Sequence, residues 1–535
     1  MENHNQPMPF IPEIKSFIPD KVKPYILIFF ALIIQVSGGV YLSVSGEMSS
    51  ATSLMNEDIQ MAGFAALIGM SLDFVYMFRI RCAAPSKYIL LLCGSVIICA
   101  NIATMYVTNV PLLVGICFVT GFFRMQAMFQ CMSSIQRWIT PNQNFAVWFC
   151  WIGFIVNSML SVSGLLDVFV SDIADWRNVQ WCIIGLVLVM MLIVWLCFQE
   201  VPPFPRIPFL GIDYLGMLLW GCFCLCILFV AVYGDFYDWW YSWHIRTATV
   251  LAVILFCLNL WRASFIRHPY IFISTMKQPI TWLIPLTYIA ADLLLAPQHI
   301  FERTLMEGIL GYDSLHVASL NWVSLAGAVI AAIFSWQTFG LRQWRYRTMI
   351  IISFACFSFY LLYFYCLIDY NLPKSMLVAP VFIRSFGYAI LSISLLTATT
   401  KLPFPFGFFQ GITIQNSFSA ALAGSIGTAV VGRVLKYTMA SNSQNMMAAI
   451  DHVNPYAQHH PVGELLGIVQ QQSVMISMKE IYGWLFILSL VFLLFLIIRR
   501  GALSELVKFH PTSWAELGKR SFLQLMTRMK TKSEI

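Results

Sequence analysis

The sequence predicts an all-α membrane protein, fourteen transmembrane helices arranged as six, two and six. Three observations predict it. Fourteen apolar segments recur along the 535 residues, most of them about 17–25 residues long, the length a helix needs to cross a hydrocarbon core of about 30 Å. The chain is 59% hydrophobic and 11% charged, too greasy for a water-facing surface. Its basic residues gather at alternate ends of successive segments, as the positive-inside rule requires.

The spans fall at 25–45, 58–78, 87–107, 111–133, 145–166, 180–199, 213–233, 246–262, 279–301, 316–337, 347–368, 376–398, 407–436 and 480–498. Lipid offers no partner to backbone N–H and C=O, so only helices or a closed barrel can span. These runs are continuous and far longer than barrel strands. The segment before them, 1–24, is polar and carries Glu13, Lys15, Asp20, Lys21 and Lys23. It has no apolar run or small-residue cleavage site, so the first span is expected to stay as helix 1. The domain reading is an N-terminal six-helix bundle (25–199), a two-helix insertion (200–278, helices 7–8, placed outside the bundles) and a C-terminal six-helix bundle (279–499). That last bundle includes a Gln/Asn-rich outer loop at 437–479. The tail 500–535 mixes basic residues with Leu, Phe and Met, which suits either an amphipathic helix on anionic lipid or a solvated tail.

Orientation follows from Lys and Arg. One side collects 23 of the 32, from Lys15, Arg79, Arg81, Arg137, Arg262, Arg342, Arg345, Arg347, Lys401 and their neighbours to the tail. The other has seven, with Asp172, Asp175, Asp235, Asp238, Glu307, Asp313 and Asp369 among them. Both termini are expected on the cytoplasmic side of the inner (plasma) membrane. The net charge of +7 reflects this asymmetry rather than nucleic-acid binding.

The sequence offers no enzyme chemistry and no cofactor. There is no G-x-x-x-x-G-K-[ST], H-E-x-x-H, C-x-x-C or G-x-S-x-G. The 14 cysteines lie in or beside spans, and Cys222, Cys224 and Cys226 alternate around a helix instead of converging. His459-His460 reads as polar loop surface, not a metal site. What remains is a device driven by a proton gradient, a channel or a scaffold.

Charges inside the spans are the sharpest signal, because each costs about 2.5–3.5 kcal/mol on insertion. Arg124 lies in span 4, Asp292 in span 9 and Arg384 in span 12. With the chain divided six, two, six, Arg124 and Arg384 each fall in the fourth helix of a half. Arg79/Arg81 and Arg342/Arg345/Arg347 each follow the second helix. This internal repeat is the kind from which secondary transporters build alternating access. The plainer reading of the arginines is that they cap carbonyls and tie helices together. Asp292 is the proton-carrier candidate, with Arg384 as its modulating partner; the plainer reading is a static Asp–Arg pair. Glu302 and His299, nearer the outer mouth, extend a proton path or serve as interface residues.

Small residues form two stripes. Gly153, Asn157, Ser161 and Gly164 share one face of span 5, and Gly424 and Gly427 mark span 13. Such faces permit close helix approach, whether for sliding halves or for ordinary packing.

In order along the chain, several motifs resemble the fourteen-span drug:proton antiporters of the EmrB/QacA type, within the major facilitator superfamily. Gly69-Met70-Ser71-Leu72-Asp73 followed by Arg79 and Arg81 resembles the G-x-L-x-D-R loop. Asp175-Trp176-Arg177 resembles S-W-R-W, Ile212-Asp213-Tyr214-Leu215-Gly216 resembles F-D-W-L-G, and Gly424-Ser425-Ile426-Gly427-Thr428-Ala429 resembles G-x-x-G-x-A. The resemblance covers nearly the whole chain and implies a major facilitator fold. It departs in three places. Gly38 stands where the family often has an acid in helix 1. Only Arg124 of R-x-x-Q-G is in step, with Gln126 displaced. The helix 5 motif lacks its proline. The missing acid is what moves the coupling role to Asp292.

The expected function is a proton-coupled exporter of small amphipathic molecules, working by alternating access. An importer or narrow-range transporter of an organic anion, sugar or siderophore is the alternative on the same fold; a non-transporting receptor or scaffold is the third. A small-molecule substrate and the bilayer are the expected partners, and the loop 437–479 is the place for a periplasmic adaptor protein.

Overall fold

The computed structural model describes residues 13–140, 144–173, 175–201, 213–369, 372–403, 406–449 and 461–498. The basic tail, His459-His460 and Ile212 lie outside the described residues. Among those described the chain is helical, with one isolated bridge between Ile14 and Phe198.

In chain order the principal helices are α1 (Lys23–Val36), α2 (Asn56–Asp73), α3 (Ser86–Tyr106), α4 (Val110–Ile139), α5 (Phe145–Ile173), α6 (Trp176–Cys197), α7 (Tyr214–Tyr233) and α8 (Trp243–Phe265). Then come α9 (Pro279–Ile309), α10 (Ser314–Leu341), α11 (Tyr346–Leu367), α12 (Lys374–Ala398), α13 (Gly407–Ala448) and α14 (Val462–Ile498). Twelve are long and apolar enough to cross a membrane. The two that fall short are α1, at 14 residues, and α2, which carries Glu57, Asp58 and Asp73.

The break in span 1 has a local cause. Ser37-Gly38-Gly39 follows Val36, and Gly39 takes φ 116°, a conformation that L side chains rarely adopt. The chain then runs through a short turn (Leu42–Val44) and helix (Ser45–Ala51) before α2. The segment 437–479 also differs from the loop expected there. Helix α13 continues to its end inside it, and α14 begins at Val462. Its Gln, Met and Ala residues are good helix formers, although they lack the apolar run that marks a span.

Two bundles follow from the packing. One buried cluster joins α1, α3, α4, α5 and α6, and another joins α9 to α14. The second and fourth helices cross closely in each half. At α2–α4, a Cβ on Gly69 would lie 2.0 Å from the Phe118 carbonyl oxygen, and one on Gly121 1.9 Å from that of Ala66. At α10–α12, a Cβ on Gly327 would lie 2.8 Å from the Phe382 carbonyl oxygen. Between halves, α2 meets α13 while α5 meets α10 and α12. The second helix of each half thus faces the fifth helix of the other.

The two-helix insertion is not simply peripheral. Helix α8 is mostly exposed, as lipid contact requires. Helix α7 is wedged against α2 and α13: Tyr233 donates a 2.5 Å hydrogen bond to Asp58, and Trp220 donates to Ser417, which also contacts Ser71 at 2.8 Å.

Candidate functional site

The buried charges organise two sites, one per half. In the C-terminal half, Pro297 removes a backbone donor and interrupts α9 at Ala296. The next turn turns Glu302 inward. There it forms an ion pair with Arg384 of α12, the side chains being 10% and 14% exposed. Tyr360 of α11 donates a 2.8 Å hydrogen bond to the same carboxylate, and its ring lies 5.7 Å from the Arg384 guanidinium carbon. Three helices therefore meet at one carboxylate. The arrangement gives a largely buried ion pair in which each member has a second contact, with Tyr360.

In the N-terminal half, Arg124 of α4 reaches the end of broken helix α1. Its Nε donates to the Ile34 carbonyl at 3.0 Å and its Nη2 to that of Gln35. Those carbonyls are the orphan acceptors of a helix C-terminus, where a cation is favoured. The break itself is held by side chains. Tyr41 donates to Asn101 at 2.9 Å and accepts from the Gly38 N–H at 3.2 Å, and Thr104 donates to the Gly39 carbonyl at 2.9 Å.

Asp292 stands apart from both. It is 8% exposed and makes no ion pair among the described residues. The structure gives Arg384 to Glu302, so the Asp292–Arg384 pairing anticipated from sequence is absent. Tyr288 and Tyr388 lie within electrostatic reach of its carboxyl, and its backbone carbonyl faces Gly427, whose Cβ position is 2.8 Å away. His299 is exposed and contacts Gln298.

The inner-loop residues separate. Gly69 serves the α2–α4 crossing. Asp73 is fully buried and pairs with Gln126, whose amide nitrogen, turned towards it, lies 3.0 and 3.1 Å from the two carboxylate oxygens. Arg81 pairs with Glu13 at 3.1 Å and Arg79 is half-buried on the same turn. The span 5 stripe lies at the bundle interface. Gly153 faces Ile393, Asn157 donates to Ser392 at 3.2 Å, Ser161 is buried, and Gly164 faces Asn321. Gly424 has no atom within 4 Å of its Cβ position. At the basic end the interface is aromatic: Phe408 packs on Phe145 and Phe149, with centroids 5.9 and 6.5 Å away.

Sequence reasoning missed Tyr360, one of 21 tyrosines with nothing to mark it. It missed Gln126 as the partner of Asp73, and Asp167, which lies one residue past the expected end of span 5. Helix α5 continues to Ile173, and counting that carboxyl as intramembrane would have found it.

No family model matches the chain, and no curated protein does. Solved structures match in shape. One, from work on substrate recognition in proton dependent oligopeptide transporters, aligns with TM-score 0.54 and 9% identity over 91% of this chain and 99% of that one. The peptide transporter POT in complex with sulfate aligns with TM-score 0.55 and 13% identity over 91% and 96%. A variant of POT in complex with alafosfalin aligns with TM-score 0.55 and 14% identity over 90% and 96%. The chain has the major facilitator fold. The likeness runs through both halves and leaves less than a tenth of each POT chain uncovered.

Proposed function

We propose that the chain is a proton-coupled secondary transporter that takes up a small solute bearing a carboxylate. The observation that carries this reading is the buried Glu302–Arg384 pair. A proton on Glu302 releases Arg384, and a solute carboxylate can then take the vacated place on a planar guanidinium suited to bidentate recognition. Proton and solute would bind together, which is symport. The named activity of the structural neighbours, proton-dependent peptide transport, supports the same class. Asp292 would be a second proton-binding group on the path. Export of amphipathic drugs is the second reading, favoured by the two-helix insertion and the motifs shared with fourteen-span antiporters. In either case the bundles rock about the α5 stripe, with the more basic side cytoplasmic.

Proteoliposomes with an imposed pH gradient decide between them, using an alanyl dipeptide, a dicarboxylate and a cationic dye as probes. Uptake of a carboxylate-bearing probe with inward proton flux, lost in Glu302→Gln, is the expected result. Dye movement against the proton flux would establish the second reading, and no flux of any probe would overturn both.

A further inference from the structure

The N-terminal bundle buries a further carboxyl that the mechanism above does not use. Asp167 lies near the acidic-side end of α5 and is 1% exposed. Its Oδ2 accepts a weak 3.4 Å hydrogen bond from Ser163, and the Ser43 hydroxyl faces the same carboxyl from the α1–α2 connection. Its Oδ1 is buried with no hydrogen-bond partner among the described residues. A carboxylate in that position has a full charge to satisfy and only two hydroxyls to do it.

Among the described residues, no cation of the surrounding elements supplies the balance. Arg303, beside Gly46 of the connection, pairs with Glu307 at 2.8 Å. Arg124 is spent on the α1 carbonyls, Arg177 lies over the Trp176 ring, and Lys374 donates to Ser319. Asp313 and His316 flank the turn that packs on α5, where His316 is exposed. The nearer titratable groups are acidic or neutral: Glu47, which accepts from Ser171 at 3.1 Å, and Tyr41, which is held by Asn101.

The location matters as much as the missing partner. Gly164, three residues before Asp167, has the amide nitrogen of Asn321 2.9 Å and the Ser43 hydroxyl 3.8 Å from its Cβ position. Asn321 belongs to α10, in the other half. The carboxyl therefore sits within one helical turn of a contact where the connection, α5 and α10 meet.

We propose that Asp167 is a proton-binding carboxyl of the acidic-side gate, loaded when α10 separates from α5 and sealed when the gate closes. A hydronium ion from the acidic side gives its proton to Oδ1: its O–H bond breaks to leave water, a carboxyl O–H bond forms, and the closed gate then buries a neutral acid in place of an ion. This rests on the rocking, proton-coupled reading above, and it adds to the C-terminal half a separate loading point in the N-terminal one.

The experiment needs neither solute nor gradient. Infrared spectra of the purified full chain in detergent report protonated carboxyls directly. At neutral pH, Asp167→Asn should lose the signal of one protonated carboxyl relative to the parent chain, while Asp167→Glu should keep it. A Gly164→Cys/Asn321→Cys disulfide should slow hydrogen–deuterium exchange at that carboxyl at least tenfold, with reduction restoring it. Monodisperse elution of each variant establishes that it folds; Asp167→Ser replaces any that does not. An unchanged carboxyl signal in Asp167→Asn, unchanged exchange in the locked chain, or a sodium requirement for the signal overturns the proposal. A proteoliposome failure with the infrared result intact would instead sink the transport reading alone.

Discussion

The Glu302–Arg384 pair makes a quantitative claim about stability. Each member is at most 14% exposed, so removing one leaves the other buried without its counter-charge. Breaking a buried pair in this way costs about 3–5 kcal/mol. Arg384→Met should reach the lower part of that range, because Tyr360 still donates to Glu302 and a hydrogen bond to a charged group retains about 1.5–3 kcal/mol. Glu302→Leu should cost about as much, since Arg384 then keeps only its contacts with Tyr360. The double variant removes both charges together and should lose far less than the sum, giving a coupling energy of about 2 kcal/mol or more. Reversible unfolding in mixed micelles, followed by tryptophan fluorescence, measures all four corners of the cycle. Additive losses would show that the two side chains do not depend on each other, and the proposed exchange of Glu302 for a solute carboxylate would fail with them.

Three further outcomes follow from the geometry. Arg124→Lys keeps the charge but cannot serve two carbonyls from a planar fork; it should destabilise by about 1.5–3 kcal/mol in the same unfolding assay and speed thiol labelling of a Ser37→Cys reporter. Gly121→Val drives a side chain into the Ala66 carbonyl, 1.9 Å from the Cβ position, and should abolish monodisperse protein. Gly115→Ala, with nothing within 4 Å, should elute normally. Gly153→Val collides with Ile393, 2.4 Å from the Cβ position, and should lower the thermal midpoint and probe uptake together, whereas Gly424→Ala should stay within about 0.5 kcal/mol of the parent chain.

The positions of the helices were legible because membrane burial writes itself into long apolar runs. Their interruptions were less so. Span 1 looked continuous to Ser45, since two glycines among apolar residues lower hydropathy little. In fact Gly38 and Gly39 end the helix and expose the carbonyls that Arg124 occupies. The arginines were legible as costly residues, but not their partners. Glu302 and Arg384 lie 82 residues apart, and only the fold shows which carboxyl each guanidinium finds. Asp292 drew attention because it sits mid-span, yet pairing depends on which helix faces which. The stripe on span 5 was legible as a close-packing face; that Ile393, Ser392 and Asn321 stand opposite it required the structure.

The two halves solve one problem in different ways, and the difference bears on mechanism. Each places an arginine in its fourth helix, pointing at its first. In the N-terminal half the first helix stops at Val36, and Arg124 is satisfied by backbone carbonyls that no proton can neutralise. In the C-terminal half the first helix resumes after the break at Pro297, and Arg384 pairs with a side-chain acid, Glu302. A backbone contact is fixed in charge, whereas a carboxylate contact is switched by protonation. Gly38, standing where the antiporters that the motifs resemble often carry an acid, offers Arg124 no titratable partner on α1. In the proposed transport cycle, proton-dependent exchange at an arginine falls to Glu302 and Arg384, and the proton-binding carboxyl proposed for the first bundle, Asp167, acts apart from α1.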